Sequence, residues 1–326
     1  MSNESITAFA NRLKKNQKML GKWARKQGIT AYRVFDRDIP EIPLRVERYG
    51  DEGVVWIYES EKGAPSFLKE LLQQVEPSLN FQKMHIKRRE RQIQGEQYEK
   101  LVDEDLEILV EEYGCHFGVN LQKYLDTGLF LDHRDTRYQV QKSSAGKRLL
   151  NLFCYTGAFS IHAAVGGAIQ TTSVDLSRTY LKWTGRNFKR NDVRYRSSLI
   201  TCPADLTREG LHLKGHSLVA QDAFAFLKEA AREGHLWDVV VLDPPTMSRS
   251  KRMQGMLDVQ RDHVELIELV EAVLAPEGRL YFSNNYRGFQ LHETALRQWS
   301  IKELTPGSLP KDVRNKNSLN AYLLEK

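Results

Sequence analysis

One segment constrains the fold of this chain more than any other. It begins with the apolar run Leu149–Leu152, passes through a short turn that ends at Gly157, and finishes with the run Thr172–Asp175. The pattern predicts a strand, a tight turn, a helix of small residues and a second strand that ends in a carboxylate. Such a unit places the turn and Asp175 at one edge of a parallel sheet, where α/β proteins bind ribose-bearing ligands.

The second half of the chain repeats this alternation of strand and helix. Strands are predicted at 148–153, 170–175, 218–220, 237–243 and 279–283, and helices near 158–165, 178–191, 223–233 and 259–274. Two final runs, 300–304 and 321–324, fit an antiparallel hairpin. We therefore expect an α/β fold, with a mostly parallel, Rossmann-like seven-stranded sheet.

The first half has a different pattern. Residues 5–27 predict a basic helix that ends at Gly28, and short strand-like runs follow at 31–35, 44–49, 54–58, 107–111 and 115–119 and near Phe130, with a helix at 66–75 that stops at Pro77. We expect three regions: the basic helix 1–28, an accessory α+β region 29–120 and a catalytic domain 121–326. The helix either faces a polyanion or is a solvated amphipathic helix.

Composition excludes several classes of protein. The 326 residues carry a net charge of +6, which suits a polyanionic partner. The three cysteines, Cys115, Cys154 and Cys202, form no paired motif, so we expect a reducing cytoplasm and no metal site. The first residues lack a signal-peptide pattern and no window reaches 18 consecutive apolar residues, so we expect no membrane association.

The first turn holds the candidate cofactor residues. The dinucleotide fingerprint and the phosphate-binding loop are both absent, so a single Gly157 must allow close approach of a cofactor without phosphates. Asp175, 18 residues later, would accept the ribose hydroxyls. Asp222 would reach an adenine amino group or cap the following helix. The candidates are Asn151, Phe153, Tyr155, Thr156, Gly157, Asp175, Leu176, Ser177, Asp222 and Ala223.

A second motif narrows the cofactor and the chemistry. Asp243-Pro244-Pro245 follows an apolar strand, and its carboxylate and free carbonyls would line a pocket for a planar base. Together with the first turn it indicates S-adenosylmethionine (AdoMet) and methyl transfer, with Asp243 in contact with cofactor and base. Amino-group methyltransferases usually continue with Tyr or Phe, whereas Thr246 stands here, which argues weakly against exocyclic N-methylation.

The last predicted parallel strand ends in Asn284-Asn285, which should face the same cleft. Amides hydrogen-bond a base edge but are not nucleophiles. Methylation at C5 of cytosine requires a thiolate, and no cysteine follows residue 202. The candidate catalytic residues are Asp243, Pro244, Pro245, Asn284 and Asn285.

Taken together, six motifs resemble one family. They are Leu125–Arg134, Asn151–Gly157, Val174–Tyr180, Asp243–Thr246, Asp258–His263 and Phe282–Asn285. Together with Arg89–Gln92, Gln97-Tyr98 and the basic helix, they resemble the guanine-N7 methyltransferase half of the bifunctional bacterial 23S rRNA methyltransferases of the RlmKL type. The likeness covers nearly the whole chain.

The resemblance implies a class I methyltransferase fold, AdoMet as cofactor and N7 of a guanine in 23S rRNA, partly folded or in a pre-ribosomal particle, as target. It further implies that Asp132 and Arg134 close over the methionine end of AdoMet. RNA-binding candidates are Arg88, Arg89, Arg91, Tyr98, Arg249, Lys251 and Arg252. The charged run at 88–91 is also typical of a solvated loop.

Departures from the family keep other interpretations open. The RNA-binding THUMP domain and second methyltransferase of the fused enzymes do not precede this sequence, so we expect a stand-alone version. The alternatives are methylation of cytosine C5 or guanine N2, or a non-catalytic RNA-binding or ribosome-assembly factor that keeps the methyltransferase fold. Intact Gly157, Asp175 and Asp243 argue against the non-catalytic factor.

Overall fold

The computed structural model describes residues 3–58, 68–89, 107–206, 215–249 and 256–326. By its internal contacts the chain divides into two compact units. The first comprises Met1–Leu131 with Pro310–Asn315, and the second Asp132–Leu309 with Lys316–Lys326. Each unit has its own sheet and its own buried core.

Among its described residues, the first unit has two helices, a four-stranded sheet and a hairpin. Its elements are α1 (Asn3–Gln27), β1 (Ala31–Asp36), β2 (Leu44–Tyr49), β3 (Glu52–Tyr58), α2 (Leu68–Leu79), β4 (Lys83–Arg89), β5 (Ile108–Glu112) and β6 (Cys115–Val119). The sheet order is β1-β2-β3-β4, in which only β3 and β4 pair in parallel. The hairpin joins β5 to β6.

Helix α1 ends as the sequence predicts. Gly28 has a positive φ of 64°, which a glycine adopts without the cost that a Cβ imposes. The Ile29 N–H donates to the Ala24 carbonyl at 2.9 Å and the Gly28 N–H to the Arg25 carbonyl at 3.4 Å. These two bonds form a Schellman motif, and buried Ile29 supplies its hydrophobic contact.

In the first unit, one prediction is wrong and one strand was not predicted. Helix α2 does not stop at Pro77 but includes it and ends at Leu79. Pro77 removes one helical hydrogen bond, yet Leu79 is buried in the core and the Asn80 N–H still donates to the Glu76 carbonyl at 2.9 Å. The strand β4 was not predicted, because its sequence is rich in basic residues.

The second unit contains a seven-stranded sheet with helices. Its elements are α3 (Arg134–Ser143), β7 (Arg148–Leu152), α4 (Ala158–Val165), β8 (Gln170–Val174), α5 (Arg178–Arg190), β9 (Gly215–Val219), α6 (Ala223–Arg232), β10 (Trp237–Leu242), β11 (Met247–Arg249), β12 (Met256–Asp258), α7 (Val259–Glu271), β13 (Leu274–Asn284), β14 (Ser300–Glu303) and β15 (Asn320–Glu325). Helix α3 was not predicted.

The order of this sheet is β14-β15-β13-β10-β7-β8-β9. The five strands from β13 to β9 pair in parallel, and β15 runs antiparallel to both β13 and β14. The predicted α/β class and seven-stranded, mostly parallel sheet are confirmed. The chain proceeds from β7 towards β9 on one side and from β10 towards β13 on the other. The carboxyl ends of β7 and β10 therefore flank the point where ligands bind in such sheets.

The observed units differ from the predicted regions. Residues 121–131 belong to the first unit, although the sequence placed them after the boundary. Residues 310–315 also belong to it, because the Arg33 N–H donates to Asp312 Oδ2 at 2.8 Å and the Arg314 N–H to Asp36 Oδ2 at 3.1 Å. Both bonds attach a late segment to β1, an edge strand of the first sheet.

Among the helices that the structure describes, none combines the length and apolar character required to cross a membrane.

Candidate cofactor and substrate site

The turn after β7 has an unusual backbone. Phe153 and Tyr155 have positive φ angles of 55° and 51°, and Gly157 has a φ of 78°. A non-glycine residue in the left-handed backbone conformation costs about 1–3 kcal/mol, so the surrounding structure must hold the turn in place. Only glycine fits the third position, since a Cβ there would overlap the side chain of Thr184.

Helix α5 supplies the contacts that hold the turn. Thr184 Oγ1 donates to the Tyr155 carbonyl at 3.1 Å, and Asn187 Nδ2 donates to the Thr156 carbonyl at 3.0 Å. The ring of Tyr155 packs edge-on against Tyr180 at 4.6 Å between centroids. Thr184 and Asn187 were not predicted from the sequence, because nothing in their local pattern marks them as partners of a turn 29 and 31 residues away.

Asp175 lies directly after β8 beside this turn. Its Oδ2 accepts the Tyr155 N–H at 2.9 Å and its Oδ1 accepts the Ser177 N–H at 2.8 Å. Burial raises the pKa of this carboxyl to about 6, and the two backbone hydrogen bonds oppose the rise. The structure therefore brings Tyr155, Gly157, Asp175 and Ser177 together at one edge of the sheet, with Leu176 between two of them.

Other predicted cofactor residues have supporting contacts. Asn151 is buried within β7, where its Nδ2 donates to Ser160 Oγ at 3.0 Å and so ties the strand to α4. Asp222 caps α6, because its Oδ1 accepts the Ala225 N–H at 3.1 Å. Ala223 begins that helix and is buried. Asp222 is thus the N-cap of α6, as one of the two predictions has it, and its contact with the cofactor stays a prediction.

A second group of polar side chains lies at the ends of β10 and β13. Ser283 Oγ donates to Asp243 Oδ1 at 2.7 Å, and His133 Nε2 lies 3.6 Å from Asp243 Oδ2. Pro244 is buried and Pro245 is partly buried. Ser283 and His133 fix the direction of the Asp243 carboxylate, and neither was predicted from the sequence as a site residue. The position of Ser283, one residue before Asn284, was the available signal.

The two asparagines after β13 differ in accessibility. Asn284 is buried, and its Oδ1 accepts both the Tyr286 N–H at 3.1 Å and Asn320 Nδ2 at 3.0 Å. Asn285 is exposed and its Oδ1 accepts the Thr246 hydroxyl at 2.8 Å. The Thr246–Asn285 bond joins the loops that follow β10 and β13. Of the two amides, that of Asn285 is the accessible one.

The segment before α3 also reaches this group. Asp132 lies in a short 3-10 turn, and Arg134 is the fully buried first residue of α3. The contact of both residues with the methionine end of AdoMet stays a prediction. His133, between them, faces Asp243, and this contact brings the whole segment to the carboxyl end of β10.

The predicted RNA-binding residues are only partly described. Arg88 is exposed on β4, Arg89 is the last residue of that strand and Arg249 the last residue of β11. Arg91, Tyr98, Lys251 and Arg252 lie outside the described residues. Within the described ranges, no three His, Cys, Asp or Glu side chains are grouped as a metal site would require.

The fold and the strand-end carboxylates define a class I AdoMet-dependent methyltransferase. The chain belongs to the S-adenosylmethionine-dependent methyltransferase family, a model of which matches residues 66–305. Among solved structures, a methyltransferase crystallised with SAH superposes with a TM-score of 0.76 at 25% identity, over 98% of this chain and 82% of that one. A SAM-dependent methyltransferase from Streptococcus mutans gives a TM-score of 0.73 at 25% identity, over 98% and 81%.

Curated relatives are named for their activity on ribosomal RNA. The ribosomal RNA large subunit methyltransferase K of Neisseria meningitidis serogroup B is 44% identical over 319 residues, which cover 95% of this chain and 85% of that protein. The methyltransferase K/L of Pseudomonas putida is 45% identical over 329 residues, which cover 98% of this chain. That match spans 42% of the longer protein, so this chain corresponds to part of it.

The residues at the first turn fit AdoMet. Each oxygen of Asp175 accepts one backbone N–H, and a carboxylate oxygen has a second lone pair that a ribose hydroxyl can use. The left-handed turn brings backbone, not a side chain, to the sheet edge at Gly157. A phosphate-binding loop is absent from the sequence, in keeping with a cofactor that has no phosphate.

Proposed function

We propose that this chain methylates N7 of a guanine in the RNA of the large ribosomal subunit, with AdoMet as the methyl donor. The family and the names of the curated relatives support an rRNA methyltransferase. The observation that carries the choice of atom is the group formed by Asp243, Ser283, Thr246 and Asn285. It offers a fixed carboxylate and an exposed amide, and no sulfur nucleophile.

The chemistry of N7 matches what this group offers. Guanine N7 has a free lone pair and no proton, so methylation there requires no general base. Bound AdoMet supplies an electrophilic methyl group on a sulfonium. The task of the protein is to align the base, and alignment alone can supply roughly 7–11 kcal/mol. Because the methylated guanine is cationic, the carboxylate of Asp243 stabilises the developing charge, and the hydroxyl of Ser283 donates to this carboxylate and fixes its orientation.

Methylation at C5 of cytosine lacks its nucleophile here. Cys115 lies on β6 in the first unit, and Cys202 lies before the 3-10 turn that precedes β9. Cys154 lies in the first turn, but burial, with the nearby Asp175 carboxylate, raises the pKa of its thiol well above the usual range. The thiol of Cys154 is therefore held in the protonated, unreactive form.

Methylation at guanine N2 is the closest competitor. Amino-group methyltransferases usually stack the target on an aromatic residue after the two prolines, and this chain has Thr246 there. The hydroxyl of Thr246 is engaged with Asn285, so the position serves to join two loops. This contact supports N7 over N2, and the two products are separable by experiment.

The test is in vitro methylation of an unmodified 23S rRNA transcript with methyl-labelled AdoMet, followed by digestion and nucleoside mass spectrometry. The proposal predicts label in N7-methylguanosine. Label in 5-methylcytidine or N2-methylguanosine would show that another atom is the target. AdoMet binding with no transfer to this transcript or to pre-ribosomal particles would favour a non-catalytic factor.

A further inference from the structure

Helix α1 has two chemically distinct faces. One is apolar and packs into the core of the first unit through Phe9, Leu13, Leu20 and Ala24. The opposite face is exposed and strongly basic. Its cations are Lys14, Lys15, Lys18, Lys22, Arg25 and Lys26.

The charges on this face are not balanced. The one acidic residue of the helix, Glu4, lies in its first turn, and Arg12 pairs with Asp38 at 3.7 Å. In the part of the chain that the structure describes, none of the six exposed cations forms an ion pair with a carboxylate. A merely solvated helix usually alternates basic residues with Glu or Asp on such a face.

The spacing of the lysines makes the imbalance costly. Lys14, Lys18, Lys22 and Lys26 follow one another at intervals of four residues, so each lies one turn above the last. Like charges at this spacing destabilise a helix. The macrodipole accounts for cations in the last turn, such as Arg25 and Lys26, but not for lysines in the middle of the helix. A polyanionic partner would relieve the repulsion.

The nature of the partner follows from what is buried. A basic amphipathic helix that binds a membrane inserts its apolar face into the lipid. The apolar face of α1 is already covered by its own unit, with Phe9 and Leu13 fully buried. The exposed part of α1 consists mainly of charged and polar side chains, with Met19, 39% exposed, as its large apolar side chain. The row of charge extends for about 18 Å from Lys14 to Lys26 at the helical rise of 1.5 Å per residue.

We propose that Lys14, Lys15, Lys18 and Lys22 bind the phosphate backbone of the RNA that contains the target base. The inference rests on the proposed function in that the RNA is taken to be the substrate. Contacts to phosphates position an RNA without reading its sequence. This face therefore contributes affinity and orientation, and the choice of base is made elsewhere.

The test measures RNA affinity of the full chain, without AdoMet, as a function of salt. A 23S rRNA transcript is titrated between 50 and 300 mM KCl with the wild type and with the triple variant Lys14→Gln, Lys18→Gln, Lys22→Gln. Each phosphate contact contributes about 0.7–0.9 to the slope of log K against log salt, so the triple variant should lower the slope by roughly 2–3. The single variant Lys18→Gln should lower it by about 0.7–0.9.

A matched control removes the same charge elsewhere. Lys147, Lys302 and Lys311 are exposed outside α1, and their triple change to Gln should leave the slope within about 0.5 of the wild type. Equal slopes for the two triple variants would overturn the proposal. An unchanged slope for Lys18→Gln would also overturn it. This single variant replaces the triple variant in the test if circular dichroism shows that the triple variant is misfolded. Tight binding of wild type to anionic phosphatidylserine vesicles, competing with RNA, would assign the face to membranes instead.

The outcomes keep this inference separate from the proposed function. A lower salt slope in the triple variant supports the role of α1 in RNA binding, whichever atom of the RNA is methylated. Methylation of N7 by the triple variant with unchanged RNA affinity would leave the proposed function standing and overturn the role of α1.

Discussion

Asp175 is a carboxyl group whose ionisation is set by its surroundings. Burial raises its pKa to about 6, although the N–H groups of Tyr155 and Ser177 both donate to it. A neutral carboxyl accepts ribose hydroxyls less well than a carboxylate, so the ionised form is the one that suits the cofactor. The affinity for AdoMet should therefore depend on pH below neutrality.

We predict that the dissociation constant for AdoMet rises about tenfold between pH 7 and pH 5, since at pH 5 only about a tenth of Asp175 is ionised if its pKa is about 6. Asp175→Asn should bind weakly at both pH values and lose this dependence. Isothermal titration calorimetry at a series of pH values measures both effects. A flat profile in the wild type would contradict the assignment of Asp175 to the ribose.

The same shift affects the stability of the unliganded protein. The folded-state pKa lies above the unfolded value of 3.8, so folding takes up a proton in the window between them. The contribution of Asp175 to stability is present below about pH 4 and is lost as pH rises through about 6. In the wild type, the free energy of unfolding in urea should fall by about 2–3 kcal/mol because of Asp175 as the pH rises from about 4 through about 6. We predict that Asp175→Asn does not show this fall. An identical pH profile in both proteins would argue against it.

Asp243 should matter for the transfer step more than for folding. We predict that Asp243→Asn lowers the rate of methyl transfer about 10²–10³-fold, as expected when a charge that stabilises a transition state is removed. Ser283→Ala should have a smaller effect, about tenfold, because it only releases the carboxylate. Single-turnover kinetics with saturating AdoMet and RNA measure the step.

Asp238 provides the matched control, since it lies in β10, the strand that Asp243 directly follows. It lies near the start of β10 and accepts hydrogen bonds from the backbone N–H and the guanidinium of Arg148. Asp238→Asn should lower stability but leave the transfer rate per folded molecule near that of the wild type. Equal rate losses for Asp238→Asn and Asp243→Asn would mean that the strand-end carboxylate has no special role.

At the scale of the element, the turn between β7 and α4 combines backbone strain with the predicted cofactor residues. Two non-glycine residues with positive φ precede Gly157, and α5 holds them through Thr184 and Asn187. Backbone strain of this kind persists where the surrounding structure over-determines it. The turn and α5 therefore act as one unit, so a change in either should alter the cofactor site.

Gly157→Ala tests this with an internal control. Gly146 also has a positive φ, of 71°, but a Cβ there would meet nothing within 4 Å. Gly146→Ala should cost about 1–2 kcal/mol from φ alone. Gly157→Ala should cost more, about 3 kcal/mol or above, because the new Cβ also overlaps Thr184. Thermal unfolding gives both values, and equal costs would mean that the contact with Thr184 relaxes freely.

Local pattern predicted the elements of the second unit well and those of the first unit less well. The parallel strands of the second unit are short apolar runs bounded by turn residues, and that signal is local. Strand β4 was missed because Lys87 and Arg88 resemble a surface loop. Lys87 is in fact buried, and its Nζ donates to the carbonyls of Tyr124 and Leu125 at 2.6 and 2.9 Å. Because these carbonyls lie nearly forty residues away in the sequence, the residues around Lys87 do not predict that it is buried.

In the candidate site, too, some residues were predicted from the local sequence and others were not. Gly157, Asp175 and Asp243 were predicted because each lies at a fixed place, the end of a strand or the turn after it. His133 and Ser283 were missed because their role depends on which strands and turns become neighbours in space. The functions assigned to the predicted residues stay predictions until the variants above are measured.

At the scale of the whole molecule, the chain combines two units whose sequences interleave. Residues 310–315 leave the second unit and pair with β1 of the first, through Asp312 and Arg314. The bonded residues lie 279 and 278 positions apart in the sequence, so no local pattern predicts the link. The first unit carries the basic face of α1, and the second carries the carboxylates at the sheet edge.

The most direct test of the central claim uses the rRNA of the cell. Large-subunit rRNA from the wild type, from a strain lacking this gene and from that strain complemented with Asp243→Asn is digested and mapped by mass spectrometry. The account predicts that one N7-methylguanosine is lost in the deletion strain and is not restored by the variant, although the wild-type gene restores it. An intact set of N7-methylguanosines in the deletion strain, with a different methylated nucleoside missing, would contradict it.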